Sequence, residues 1–234
     1  MRSEIPPVPP QSLSPYAREI LQLLAGHPEA AEIVIGGGVA LSHYAEYRET
    51  FDLDAWWATA PTAAARHLIA TSLQVVATRH GLFFHSRSWG ETESFELTDG
   101  QRKIFSLQIA ARDRFLDAPI EAAWPPVQIE TLRDNIASKM TALVERGAPR
   151  DLRDIHHLCS RHLIDVDECW DLYRMKNPHH DPHEAAAKIL YAIERLEMQR
   201  PLDTIPEARD RHEAATVRAW FREVFCRPPQ GGST

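Results

Sequence analysis

Two carboxylates, Asp52 and Asp54, stand in the run Phe51-Asp52-Leu53-Asp54-Ala55-Trp56-Trp57, where acidic and apolar residues alternate. Alternation of period two predicts a half-buried strand, on which residues i and i+2 share a face. Asp52 and Asp54 then project side by side, while Phe51, Leu53 and Ala55 point the other way. Paired carboxylates repel each other unless a cation sits between them. Mg²⁺ suits the position, because it takes oxygen ligands and fills the rest of its shell with water and substrate phosphates. Asp52 and Asp54 are therefore candidate metal ligands. Upstream, Gly36, Gly37 and Gly38 follow the β-branched run Ile33-Val34-Ile35 and open an apolar-periodic segment, Val39 to Tyr47, that predicts a helix. Glycines let the backbone approach a phosphate, and a helix start adds unpaired N–H groups and a positive dipole end. Gly37, Gly38 and Val39 are the candidate phosphate-binding positions. Arg48, between the helix and the aspartates, is placed either to clamp a phosphate as a bidentate donor or to pair with Asp52 and Asp54. Together these residues describe a place for a metal–triphosphate.

The elements that must hold them follow from pattern. The proline-rich lead is expected to be irregular. Ser14-Pro15 reads as an N-cap and first helical residue, opening a helix that ends near Gly26. After the aspartates, Pro61 to His80 is helical by pattern, with Leu68, Ile69, Leu73, Val76 and Ala77 on the face that covers the sheet. Two alternating runs, Leu82 to Leu97 and Arg102 to Ala111, flank Thr98-Asp99-Gly100-Gln101 and predict a hairpin beside the aspartate strand, in a mixed sheet. From Pro125 the pattern turns helical. Ile129 to Gly147 carries Leu132, Ile136, Met140 and Leu143 on one stripe, with Lys139 and Arg146 along its flank; Ala185 to Leu196 and Glu213 to Phe225 are amphipathic.

Composition sets outer bounds. A chain of 234 residues, 44% hydrophobic and 25% charged, can bury one core or two closely packed subdomains. No run approaches the ~18 continuous apolar residues of a membrane span. Three cysteines, Cys159, Cys169 and Cys226, lack metal-ligand spacing and are odd in number, so a reduced, cytoplasmic chain is expected. The net charge of −7 excludes a protein whose whole surface binds nucleic acid and leaves room for a local basic cleft. The run 179–183, His-His-Asp-Pro-His, lacks the H-E-x-x-H spacing and reads as a polar turn capping the next helix.

The ordered whole, Gly36-Gly37-Gly38-Val39-Ala40-Leu41 followed by Tyr47-Arg48-Glu49-Thr50-Phe51-Asp52-Leu53-Asp54, resembles the nucleotidyltransferase superfamily of the DNA polymerase β type. Within it the chain looks most like the AbiEii/AbiGii toxin family, with its G-G-x-A-L and R-x-[ST]-x-D-[LI]-D pattern. A second signature is similar too: K-x-x-A-L-x-x-R at Lys139–Arg146, then R-D-x-x-D at Arg150–Asp154. The resemblance implies that Lys139 contacts phosphate or acceptor and that Asp151 orients that lysine or the nucleotide. Asp154, three residues on and so on the same helix face as Asp151, reads as a local partner of Arg150 or Arg153. It also implies a third carboxylate on the strand neighbouring the aspartates, where this chain offers Ser106 and Gln108. Glu96 on the partner strand is the substitute metal ligand, ahead of Glu93. Val39 likewise stands where many relatives carry a phosphate-touching hydroxyl.

The expected fold is α/β (α+β): a small mixed sheet of nucleotidyltransferase type flanked by helices over residues 1–125, a helical subdomain packed on it over 126–227, and a disordered tail over 228–234. The expected function is Mg²⁺-dependent transfer of a nucleotide from an NTP to an acceptor hydroxyl, by analogy a tRNA 3′ end. The resemblance makes it the toxin of a bacterial toxin–antitoxin or phage-defence pair, with a cognate antitoxin protein and no membrane partner. The alternative is a catalytically weakened module that binds nucleotide or a partner protein.

Overall fold

The computed structural model describes residues 5–112, 114–121 and 123–227, so the tail expected to be disordered lies outside the described residues. The chain forms two compact units, Met1–Asn135 and Ile136–Thr234.

The first unit is built on a seven-stranded mixed sheet. Its strands are β1 (Ile33–Ile35), β2 (Asp52–Trp57), β3 (Phe83–Trp89), β4 (Thr92–Thr98), β5 (Lys103–Ala110), β6 (Ile120–Glu121) and β7 (Gln128–Ile129), in the order β3-β4-β5-β2-β1-β7-β6. Helices α1 (Pro15–Leu24), α2 (Gly37–Ser42) and α3 (Ala63–His80) accompany it. Ser14 caps α1 by accepting from the Ala17 amide at 3.1 Å, and Thr62 caps α3 by accepting from Ala65 at 3.1 Å. Leu53 and Ala55 of β2, Phe95 of β4, and Phe105, Leu107 and Ile109 of β5 share one core with Ile20 and Leu24 of α1 and Ile69, Leu73 and Val76 of α3. Each of the larger side chains contributes about 1.5–3 kcal/mol by burial.

Two local expectations need correction. The run Leu82 to Leu97 is two strands, because Gly90 takes φ +56° and turns β3 back on β4, pairing Phe83 with Thr98 and Trp89 with Thr92. The expected hairpin at Asp99-Gly100 is also present. Asp99 accepts from the amides of Gln101 at 2.9 Å and Arg102 at 2.7 Å. The helix expected over Val39 to Tyr47 stops at Ser42. Ser42 Oγ donates to the Gly38 carbonyl at 2.9 Å, and His43 Nδ1 lies 2.9 Å from that of Val39, so side chains compete for carbonyls that would continue the helix. With only six residues, α2 has little dipole to offer.

The second unit is helical: most of α4 (Leu132–Arg146), α5 (Pro149–Ser160), α6 (Val166–Lys176), α7 (Pro182–Gln199) and α8 (Ala208–Trp220), which runs into a π turn at Phe221–Phe225. Helix α4 starts later than the pattern suggested because Ile129 belongs to β7, paired with Ile35 of β1. The histidine-rich run caps α7, Asp181 accepting from the His183 amide at 2.9 Å. No described helix is long and apolar enough to cross a membrane.

Candidate active site

Strand β2 buries every second residue, Leu53, Ala55 and Trp57, and leaves Asp52, Asp54 and Trp56 half-buried on the opposite face. The strand lies between β1, antiparallel, and β5, parallel. Its register with β5 puts Asp52 beside Ser106 and Asp54 beside Gln108. Ser106 Oγ donates to Asp52 Oδ1 at 3.0 Å, and Lys103 Nζ donates to Ser106 Oγ at 3.3 Å. Strand β4 extends the rows, with Glu96 opposite Ser106 and Ser94 opposite Gln108. Glu96 therefore shares the aspartates' face, two strand spacings, or roughly 10 Å, from Asp52. Glu93 points the other way and is buried in an ion pair with Arg66. Among the described residues, no three histidine, cysteine or acidic side chains gather closely enough to hold a metal. The donors on this face are all oxygens, from two carboxylates, the Ser106 hydroxyl and the Gln108 amide, and oxygen sets suit a hard cation such as Mg²⁺.

The glycine corner meets β2 directly. Gly36 N donates to the Asp54 carbonyl at 2.8 Å. A Cβ at Gly37 would lie 2.3 Å from Asp54 Oδ2, and one at Gly36 would lie 2.4 Å from Trp56 Nε1. One at Gly38 would lie 2.9 Å from Thr50 Oγ1 and 3.4 Å from Arg48 Nη2. The missing side chains thus admit residues of β2 and of the segment before it, and they bring the Asp54 carboxylate against the corner. Val39 has its side chain in the core, so only its backbone is left for a ligand. Arg48 stands by Gly38, donates to the Glu49 carbonyl at 3.3 Å and lies 5.9 Å from the Tyr47 ring centroid.

Several residues of this corner were not among the site candidates, although Thr50 fills the serine-or-threonine position of the first signature. Thr50 is buried against Gly38, and its Oγ1 meets no hydrogen-bond partner among the described residues. Glu130, Asp134 and Asn135 are fully buried near the start of α4. Arg112, nearly buried itself, pairs with Glu130 and lies 3.5 Å from Asp134. Acids before and within a first helical turn ordinarily read as solvated capping residues, so pattern alone does not expose them.

In the second unit the basic and acidic residues of the second signature join α4 to α5. Lys139, 6% exposed, donates to Asp154 at 2.5 Å, and Asp154 is 0% exposed. Arg146 forks onto Asp151 with bonds of 2.7 and 3.0 Å. The lysine's acid is thus Asp154, while Asp151, expected to orient the lysine or the nucleotide, holds Arg146. The two bonds are nested: the residue farther along α5 meets the one farther back along α4.

No curated protein sequence matches the chain. The family model described as nucleotidyl transferase AbiEii toxin, type IV TA system, matches residues 20–223, which takes in the glycine corner, the aspartate strand and both stapled helices. On a match of that extent the chain belongs to the AbiEii family of nucleotidyl transferase toxins of type IV toxin–antitoxin systems.

Proposed function

We propose that the chain transfers a nucleotide from an NTP to an acceptor hydroxyl, using Mg²⁺ held by Asp52 and Asp54. The observation that carries this reading is the contact between the two halves of the site. Asp54 lies over Gly37, where a phosphate approaching the corner would meet the aspartate-bearing face. Bound there, the cation would neutralise charge on the triphosphate as pyrophosphate leaves. The corner's backbone and Arg48 would orient the phosphates, and Ser106 would keep Asp52 turned toward them. Glu96, in the same row, is the acidic side chain proposed to complete the shell or to take the acceptor's proton. A phosphate or acceptor role for Lys139, with Asp151 in support, rests on the family signature. A tRNA 3′ end is the proposed acceptor, with an antitoxin as genetic partner.

One observation favours a second reading, a weakened nucleotide-binding module. The strand beside the aspartates carries Ser106 and Gln108 in register, and neither can act as a base at neutral pH. Release of pyrophosphate from labelled NTP, with Mg²⁺ and a tRNA pool, separates the two. The transferase reading expects product that Asp52→Ala and Asp54→Ala each abolish, and a Glu96→Gln variant that binds NTP but turns over slowly. Binding without product in the parent chain supports the module.

A further inference from the structure

The least expected feature of the first unit is a charged cluster sealed beneath the glycine corner. Glu130, Asp134 and Asn135 are each 0% exposed, and the Arg112 side chain is 6% exposed. Arg112 is gripped by two rings, 4.8 Å from the Trp56 centroid and 4.7 Å from that of Phe115. Asp134 Oδ2 accepts from the amides of Leu116 and Asp117 at 2.7 and 2.9 Å, which pins the segment after Arg112. Buried ion pairs seldom stabilise more than an apolar replacement would. Stability therefore gives this cluster little reason to exist, and its connections supply a better one.

Those connections run to the corner through Asn135. Its Nδ2 donates twice, to Glu130 Oε2 at 2.8 Å and to the Gly37 carbonyl at 2.9 Å. Both partners are acceptors only, so the orientation of the amide is fixed by chemistry. Its Oδ1 is buried and meets no donor among the described residues. Such an orphan costs about 1–3 kcal/mol, so the side chain is held where it is for its two donors. Glu130 closes the link from the other side. Its Oε2 is 3.1 Å from where a Gly36 Cβ would be, its amide donates to the Ile35 carbonyl at 3.0 Å, and its carbonyl accepts from Tyr44 Oη at 2.9 Å. A trans peptide points its C=O and N–H in opposite directions. Holding the Gly37 carbonyl therefore also sets the direction of the Gly38 N–H.

We propose that Asn135 and Glu130 are positioning residues: backed by Arg112, they fix the Gly36–Gly38 corner against Asp54 and thereby set the affinity of the site for nucleotide. Neither side chain need touch the ligand. The affinity half of the proposal rests on the nucleotide reading above; the corner half does not.

The test titrates the full chain and its variants with Mg²⁺ and non-hydrolysable analogues of the four NTPs, and follows amide exchange of the peptide spanning residues 33–44. Asn135→Ala should speed exchange at the corner and weaken analogue binding about 10–100-fold, the range seen when supporting hydrogen bonds behind ligating groups are removed. Exchange in α3 should stay unchanged. Asn135→Leu keeps the branched shape and loses both donors, so it should reproduce the defect and serves if the alanine variant does not fold. Glu130→Gln retains an acceptor for Asn135 and should bind the analogues more tightly than Asn135→Ala does. A merely structural role would lower the melting temperature and leave the affinity of the folded protein alone, which would overturn the proposal. Unchanged corner exchange in Asn135→Ala would overturn the corner half. A parent chain that binds none of the analogues would instead overturn the nucleotide reading, and the affinity half with it.

Discussion

A methyl group added at Gly37 would sit 2.3 Å from Asp54 Oδ2 and 2.9 Å from Asp54 Cβ, on a backbone already at φ +57°. The left-handed conformation alone costs a residue with a Cβ about 1–2 kcal/mol. Relieving the clash must also move the carboxylate. Gly37→Ala is therefore expected to melt at a lower temperature and, on the proposed function, to lose turnover together with Mg²⁺-dependent nucleotide binding. Gly81→Ala separates the two effects, since Gly81 has φ +64° and nothing described within 4 Å of an added Cβ. It should show the loss of stability alone, by thermal melting and pyrophosphate release in parallel; equal activity losses in both variants would refute the contact argument. At this scale the sequence was legible for Asp52 and Asp54, whose shared face follows from period two. It was silent on Glu130 and Asn135, because a buried polar residue differs from an exposed one only in its neighbours.

Between elements, the interaction with the largest expected effect is the one joining α4 to α5. Lys139 and Asp154 are both buried in one ion pair, and removing one partner of a buried pair costs about 3–5 kcal/mol. Lys139→Met and Asp154→Leu should each lower the urea midpoint strongly, while the double variant should recover much of the loss. A double variant no more stable than the worse single one would show that the pair does not act as a unit. Arg146 is half exposed while Asp151 is buried, so losing their bonds should cost less than losing the fully buried Lys139–Asp154 pair. The K-x-x-A-L-x-x-R and R-D-x-x-D spacing showed that these four residues matter, but not which acid meets which base. That depends on how the turn at Gly147 sets α5 against α4. The break of the long alternating run into β3 and β4 was carried by Gly90 alone, a single glycine that alternation on both sides obscured.

For the whole chain, the histidines decide how stability responds to acid. His43 is 3% exposed, with Nε2 lacking a partner among the described residues, and burial holds its pKa below the ordinary 6.5. Burial depresses His156 and His157 as well. The folded state therefore binds fewer protons than the unfolded one. Stability is full above 6.5 and falls as the pH drops through that value toward the folded pKa values, by about 1.4 kcal/mol per unit of depression once protonation is complete. The hydrogen-bonded carboxylates Glu19, Glu46 and Glu197 are held below 4.5 and titrate under this window. Urea midpoints are expected to decline from pH 7.5 to 5, and His43→Gln should flatten part of that slope. A level profile would contradict the burial of His43 as an unpaired base.

Local order in this protein was determined by the sequence alone: the strand periodicity, the caps at Ser14 and Asp181, the turn at Asp99-Gly100 and the adjacency of Asp52 and Asp54 each depend on residues within a few positions of one another. Tertiary structure decided the partners: Ser106 for Asp52, Asp54 for Gly37, Asp154 for Lys139, and Asn135 for the glycine corner. Such pairings join residues distant in the chain through strand register and helix direction, and a side chain's type constrains neither.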